Sequence, residues 1–339
     1  MVSFLGIEFA PLFIPWRRRM QTIAAAHYVS LFAGPYFLLI FSLIAMIVWR
    51  LWWLAVVYGL WLYVDRDAPK RGSRPLSIIR EWSLYKHLRD YFPIHLIKTA
   101  ELDPSRNYLI GYHPHGIMSF GAFCNFSTEA TNFSKVFPGI KPYLCTLVGN
   151  FWFPFRREYM MCFSLIDVSK ESISWLLGKP KKGYAAVVVV GGAREALEAY
   201  PGTHTLVLNE RKGFIKTAIQ TGADLVPCYS FGENDVYNRF DNHQLRFLSH
   251  FQLIWKSISG WVLPPICGRG MFNYTFGVLP HRRPIYSVVG KPIHVKQCDN
   301  PDQAQIDDLH KQYVDQIKEL FENYKKLYAS TEQCELVIL

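Results

Sequence analysis

Residues 23–64 carry a single charged side chain, Arg50. The stretch is about twice as long as the ~20 apolar residues that a helix needs to cross a bilayer. A cleaved signal peptide has an apolar region of only ~7 to 15 residues and a small-residue cleavage site, so that reading is rejected. Arg17, Arg18 and Arg19 precede the stretch, and Arg66, Lys70, Arg71 and Arg74 follow it. Basic flanks on both sides predict a membrane hairpin with both ends in the cytosol. The expected layout is then a cytosolic N-terminal segment at 1–22, the hairpin at 23–64 and one domain over 65–339. Gly34 and Pro35 would kink the first limb, while Arg50 with Trp49, Trp52 and Trp53 suits a headgroup interface. A single span ending near Trp49, followed by an interfacial helix, is the alternative.

The rest of the composition agrees with a chain that places apolar surface outside a core. Hydrophobic residues make up 50% and charged residues only 19% of the chain, low in charge for a soluble enzyme. The formal net charge of +10 calls for anionic partners, either a phospholipid surface or a phosphorylated ligand. Nucleic acid is not expected, because no recognition motif or dense basic stripe is present. Seven widely spaced cysteines with no CxxC pair predict reduced thiols facing the cytosol.

Beyond a linker at 65–75, apolar strand patterns fall at 108–112, 143–148, 184–190, 204–208, 225–231 and 285–289. Helical patterns lie between them, notably at 193–199, 213–221 and 302–327, the last expected to be a solvated amphipathic helix. Such alternation predicts an α/β fold with a mainly parallel sheet. The aromatic stretch 251–266 has neither period and is expected to dip into the membrane interface.

In a parallel sheet, chemistry gathers at the carboxyl ends of strands. Two strand ends qualify. The first is followed by His113, Pro114, His115 and Gly116, the second by Gly191 and Gly192. Pro114 fixes one backbone angle and Gly116 allows close approach to a ligand, so the imidazoles can be held at the mouth of a site. From these four residues alone, acid/base catalysis, a buried structural histidine and a metal pair all stay open. A serine hydrolase of the α/β type is excluded by the lack of any GxSxG elbow. No metal is expected, because the other histidines lack HxxxH or HExxH spacing. Neither GxxxxGK[ST] nor GxGxxG is completed, which removes the usual nucleotide folds.

Seven blocks then align in order over residues 8–295. They are Tyr91, Phe92 and Pro93; HPHG with 117–131; Phe137 to Ile140 (FPGI); Val190 to Ala193 with Glu195; Arg211, Lys212, Gly213 and Phe214 through Pro227; Phe231 to Asn234 (FGEN); and Gly268, Arg269 and Gly270. Behind a hydrophobic hairpin, this series resembles the type 2 diacylglycerol acyltransferase family, which includes the monoacylglycerol and wax-alcohol acyltransferases. The family's FLxLxxxN motif is only partly echoed by Phe37, Leu38, Leu39 and Ile40, so no lipid role is carried onto them.

The resemblance implies a glycerolipid-acyltransferase-like α/β domain at the endoplasmic reticulum membrane and lipid droplet surface, facing the cytosol. The implied reaction moves a long-chain acyl group from coenzyme A to the hydroxyl of diacylglycerol. Monoacylglycerol or a fatty alcohol are the alternative acceptors, and a non-catalytic lipid-binding scaffold is the alternative of another class. No cofactor beyond the acyl-CoA co-substrate is expected, and self-association is left open. A thioester is already activated, so a histidine base suffices. His115 is preferred as that base because it adjoins Gly116, with His113 orienting it or the substrate. N–H groups after Gly116 would stabilise the oxyanion. Wider glycerolipid acyltransferases pair their histidine with an acid five residues on, but Met118 and Phe120 stand there. The orienting acid is therefore sought in Glu129 or Glu195. Pro114, Gly116, Gly192, Glu233 and Asn234 are expected to line the substrate site. Arg211, Lys212, Gly213 and Phe214 open a helix suited to the phosphates of coenzyme A.

Overall fold

The computed structural model describes residues 2–4, 6–11, 13–239, 266–330 and 334–339. The interfacial expectation for 251–265 lies outside the described residues.

Seven strands form the central sheet: β1 (Ile94–Lys98), β2 (Tyr108–His113), β3 (Lys141–Thr146), β4 (Leu165–Asp167), β5 (Tyr184–Val189), β6 (Asp224–Phe231) and β7 (Ile285–Val289). Their order is β1-β7-β6-β2-β5-β3-β4. All neighbours are parallel except β7 and β6. The α/β class and the mainly parallel sheet are thus as the sequence predicts. The patterned segment at 204–208 does not join this sheet; Thr205–Leu206 pairs instead with Val337–Ile338.

The central strands are buried on both faces, which is why they read as continuous apolar runs. Tyr108, Ile110 and Tyr112 of β2 enter an aromatic core on one face. Leu109 enters a second core on the other, with Leu225, Tyr229 and Phe231 of β6. That second face is covered by α4 (Lys170–Leu177), α5 (Gly213–Thr221) and α6 (Gln303–Tyr328). A capping box starts α6: the Gln305 N–H donates to the Asp302 side chain at 2.7 Å, and the Asp302 N–H to the Gln305 side chain at 3.1 Å. This helix is not merely a solvated one. Ile306, Leu309, Tyr313, Ile317, Leu320 and Phe321 form a fully committed apolar face against the sheet.

The N-terminal apolar stretch forms two helices, α1 (Trp16–Val48) and α2 (Trp52–Val64). Among the described residues, no helix is long and apolar enough to cross a membrane. The expected division at residue 65 also differs from the packing. Ala24, Ala25 and Tyr28 of α1 are buried in the aromatic core beside α3 (Ser83–Tyr91). The Tyr28 hydroxyl donates to the Met118 carbonyl at 2.8 Å. Small residues at 24 and 25 let α1 approach the domain closely, and hydrophobicity alone does not separate such a core-facing turn from a lipid-facing one. Farther along, Ile40, Phe41, Leu43, Ile44 and Val48 are exposed, and α2 buries no residue at all. α2 is nonetheless tied down, since the Tyr58 hydroxyl donates to Glu158 at 2.7 Å and its ring stacks on Phe155. All seven cysteines are free.

Candidate active site

Three parallel neighbours, β6, β2 and β5, end at one edge of the sheet. They deliver Gly232, Glu233 and Asn234, the HPHG turn, and Gly191 with Gly192 to the same place. The HPHG segment begins at the last paired residue of β2, His113 opposite Tyr229.

The two histidines have different surroundings. His113 is fully buried. Its Nε2 lies 3.0 Å from the Tyr313 hydroxyl of α6, which also reaches the Gly111 carbonyl at 3.2 Å. A carbonyl only accepts, so the single hydroxyl hydrogen goes to Gly111 and the His113 Nε2–H donates to the Tyr313 oxygen. Burial pushes the His113 imidazole down to about 3, so it stays neutral.

His115 is partly exposed. Its Nδ1 lies 2.9 Å from the Gly116 carbonyl. By the same reasoning Nδ1 carries the hydrogen, and Nε2 is left with a free lone pair. Burial lowers the His115 pKa, and the bond to Gly116 partly opposes that shift. The ring is therefore a neutral imidazole already in the tautomer a general base requires.

Glu195 is buried behind this loop. Its carboxyl accepts from the His115 N–H at 3.0 Å and from the Val207 N–H at 3.3 Å. Desolvation pushes it up to about 8, against the pull of those N–H groups. Glu233 is equally buried, accepting from the Tyr112 hydroxyl at 2.8 Å and the Gly121 N–H at 3.0 Å. Burial pushes it up to about 7. Gly116 has φ +60°, and a Cβ there would meet Glu233 Cγ at 2.6 Å. HPHG is thus seated directly on Glu233 from below and on Glu195 from behind.

This arrangement revises the expected roles of several residues. No hydrogen bond joins the two imidazoles, and His113 is held by Tyr313 and not against His115. Glu129 is not brought to the histidines. It pairs with Arg80 at 3.1 Å and accepts from the Ser134 hydroxyl at 3.0 Å. Glu195 does come to the site, yet it grips the backbone of His115 and leaves the ring to the Gly116 carbonyl. Lys212 pairs with Asp307 of α6 at 2.7 Å, whereas Arg211 is exposed and reaches the Gly191 carbonyl at 3.4 Å. Phe214 packs against the Tyr313 ring at a centroid distance of 5.1 Å. Gly213 is the first residue of α5. The Asn234 amide donates to the Thr203 carbonyl at 3.0 Å. Gly192 has φ +62° with open space where a side chain would stand, and Pro114 joins the two histidines. Among the described residues, no group of three or more His, Cys, Asp or Glu is placed to hold a metal ion.

Tyr313 was not singled out by sequence. Its signal is the spacing Ile306, Leu309, Tyr313, Ile317, Leu320, which marks one buried face of a helix. Gly111 is its partner, because a Cβ there would stand 2.0 Å from the Tyr313 hydroxyl oxygen. Gly111→Ala is expected to lower stability by about 1 to 3 kcal/mol through overpacking. Chemical unfolding checks it, and a wild-type midpoint would show that Tyr313 is not fixed there.

Fold and site together define an α/β domain with a histidine turn at the carboxyl edge of a mainly parallel sheet. The diacylglycerol acyltransferase family model matches residues 44–339. The chain is 45% identical over 336 residues to 2-acylglycerol O-acyltransferase 1 of Homo sapiens, covering 98% of this chain and 100% of that protein. It is 45% identical to diacylglycerol O-acyltransferase 2A of Umbelopsis ramanniana (97% and 93% covered) and 43% identical to diacylglycerol O-acyltransferase 2 of Danio rerio (96% and 92%). The chain belongs to the diacylglycerol acyltransferase family. No solved structure matches it.

Proposed function

We propose that this chain is an acyl-CoA-dependent O-acyltransferase that converts diacylglycerol to triacylglycerol, with His115 as the general base. The observation that carries the mechanism is the His115 Nδ1 contact to Gly116, which leaves Nε2 able to take a proton. The acceptor hydroxyl oxygen attacks the thioester carbon while Nε2 removes its hydrogen. The carbon–sulfur bond then breaks, and the imidazolium returns the proton to the departing coenzyme A thiolate. N–H groups of the turn after Gly116 stabilise the oxyanion. Arg211, exposed beside the open surface at Gly192, meets the phosphates of coenzyme A. No further cofactor is called for.

Monoacylglycerol is the second reading, because relatives named 2-acylglycerol O-acyltransferase are as similar as those named for diacylglycerol. Labelled acyl-CoA offered to the purified chain with diacylglycerol, monoacylglycerol or a fatty alcohol separates the readings. Triacylglycerol is the expected main product. Monoacylglycerol as the faster acceptor would replace the first reading by the second, and no acylated product at all would favour a lipid-binding scaffold.

The site works at the cytosolic face of the endoplasmic reticulum and on lipid droplets, anchored by the apolar surfaces of the second half of α1 and of α2. Their exposed Leu43, Ile44, Trp52, Trp53, Val57 and Leu60 need cover that the domain does not supply. Arginine and lysine on both flanks keep both ends on the cytosolic side. In sealed microsomes, protease should digest tags at both Met1 and Leu339 without detergent. Protection of one tag alone would mean a single span.

A further inference from the structure

Arginines gather at the end of the sheet where the HPHG turn lies. β1 and β7 begin where β6 ends, since Tyr286 pairs with Phe231 and Ile285 with Ile94. The residues just before β1 and β7 therefore share the carboxyl edge of β6. There a groove of about 1080 Å³ runs between the N-terminal segment and the loop before β7. Main-chain bonds hold its two walls together, from the Ala10 N–H to Phe272 at 2.8 Å and from the Tyr274 N–H to Glu8 at 2.8 Å.

Arg18, Arg19, Arg269 and Arg282 line this groove, and among the described residues no carboxylate does. Arg18, Arg269 and Arg282 form no ion pair among those residues. Arg269 is 8% exposed, with its Nε on the Gly270 carbonyl at 3.3 Å and its guanidinium over the Tyr274 ring at 4.5 Å. Arg282 stacks 4.1 Å from the Tyr91 ring centroid and donates to Gln21, to Thr22 and to the Arg18 carbonyl, all neutral groups. Burial, with repulsion from Arg18 and Arg269, pushes it down to about 10. The nearby Asp90 is taken by Arg17 and Arg89. Holding the buried Arg269 guanidinium beside the half-buried Arg282 without a counter-ion is costly, and a doubly hydrogen-bonding anion offsets that cost. The rim is apolar and open to solvent: Phe13 is 96% exposed, Trp16 71% and Phe272 70%.

We propose that this groove binds an anionic glycerophospholipid, with its phosphate held by Arg18, Arg269 and Arg282 and its acyl chains lying on the aromatic rim. Charge complementarity selects the headgroup. The exposed Phe13, Trp16 and Phe272 select an amphiphile over a soluble phosphate, and α1, which begins at Trp16 beside the groove, leads to the proposed membrane anchor in its second half. The inference does not depend on which acceptor hydroxyl is acylated.

The test titrates the full chain, in neutral detergent, with dioctanoylphosphatidylserine and with dioctanoylphosphatidylcholine as the uncharged control. Saturable binding of the first and much weaker binding of the second is expected. Arg18→Gln combined with Arg282→Gln should raise the Kd about thirty-fold, from the general worth of two basic residues at an anionic lipid surface. Arg18→Gln alone, at an exposed side chain, should give a partial rise in a chain whose fold is not at issue. Lys311→Gln with Lys318→Gln, on the exposed side of α6, should leave the Kd unchanged. Equal binding of both lipids, an equal loss in the α6 control, or displacement of the lipid by coenzyme A would each overturn the proposal. The last result would assign the arginines to the acyl donor.

Discussion

His115→Ala is expected to reduce acyl transfer by ~100- to 10,000-fold, the usual range for removing a positioned general base. Expression and membrane association should stay unchanged. The substitution is clean because only the ring is lost. The Glu195 contact is to the backbone N–H of residue 115, and the Ser119 hydroxyl donates to its carbonyl at 2.8 Å, so both survive in alanine. His113→Ala should also lose activity, by a different route: it empties a buried space against Tyr313 and leaves that hydroxyl oxygen without its donor. Its loss should therefore be accompanied by reduced stability, whereas that of His115→Ala should not. Tyr313→Phe distinguishes the roles further, since it keeps the packing but removes the hydroxyl that fixes the His113 ring. Near-normal turnover in His115→Ala would move the base to His113.

Much of this arrangement can be read in the amino-acid order. The central strands are legible because both of their faces are buried, and the resulting short apolar runs, such as Ala185, Ala186, Val187 and Val188, stand between turn residues such as Gly183 and Gly191. The edge strands β1 and β4 are not, being a mixed IHLIK and a three-residue LID. HPHG and the Gly191–Gly192 pair are legible because turn residues stand directly after strands. The orienting group for His115 is not, because it is a main-chain carbonyl, which no side-chain motif can announce. Glu129 was attractive for its nearness in sequence, but the π-helical turn Phe123–Ser127 and the contact to Arg80 carry it elsewhere. Glu195 and Glu233 are distant in sequence and arrive together only because β5 and β6 flank β2. The boundary of the proposed membrane segment is hardest to read, since alanine and tyrosine on α1 are equally suited to a protein core and to a helix near lipid.

The two buried carboxyl groups make stability depend on pH in a direction opposite to that of most acidic residues. In the unfolded chain a glutamate releases its proton near pH 4.5, whereas Glu195 holds it to about 8 and Glu233 to about 7. Between those values the folded chain binds more protons than the unfolded one, so stability falls as pH rises. The histidines act in the reverse sense at lower pH. His113, His115 and His204 are all depressed below 6.5 by burial, so acid costs stability until they are neutral in both states. At pH 6.5 these histidines are still half protonated in the unfolded chain, so their opposing contribution fades over about one further pH unit, and it is common to the wild type and to any Glu195 variant. From pH 6.5 to 8 Glu195 should cost about 2 kcal/mol of stability, at about 1.4 kcal/mol for each pH unit. Glu195→Gln keeps the shape and resembles the protonated acid. It should flatten most of this slope, even if one backbone N–H contact is weakened. Chemical unfolding of both proteins in neutral detergent at pH 6.5 and 8 gives the comparison. Equal slopes would mean that Glu195 is already ionised at neutral pH. It would then hold the HPHG turn as a charged acceptor of the His115 and Val207 N–H groups, and the loop would tighten with rising pH where the present geometry has it loosen.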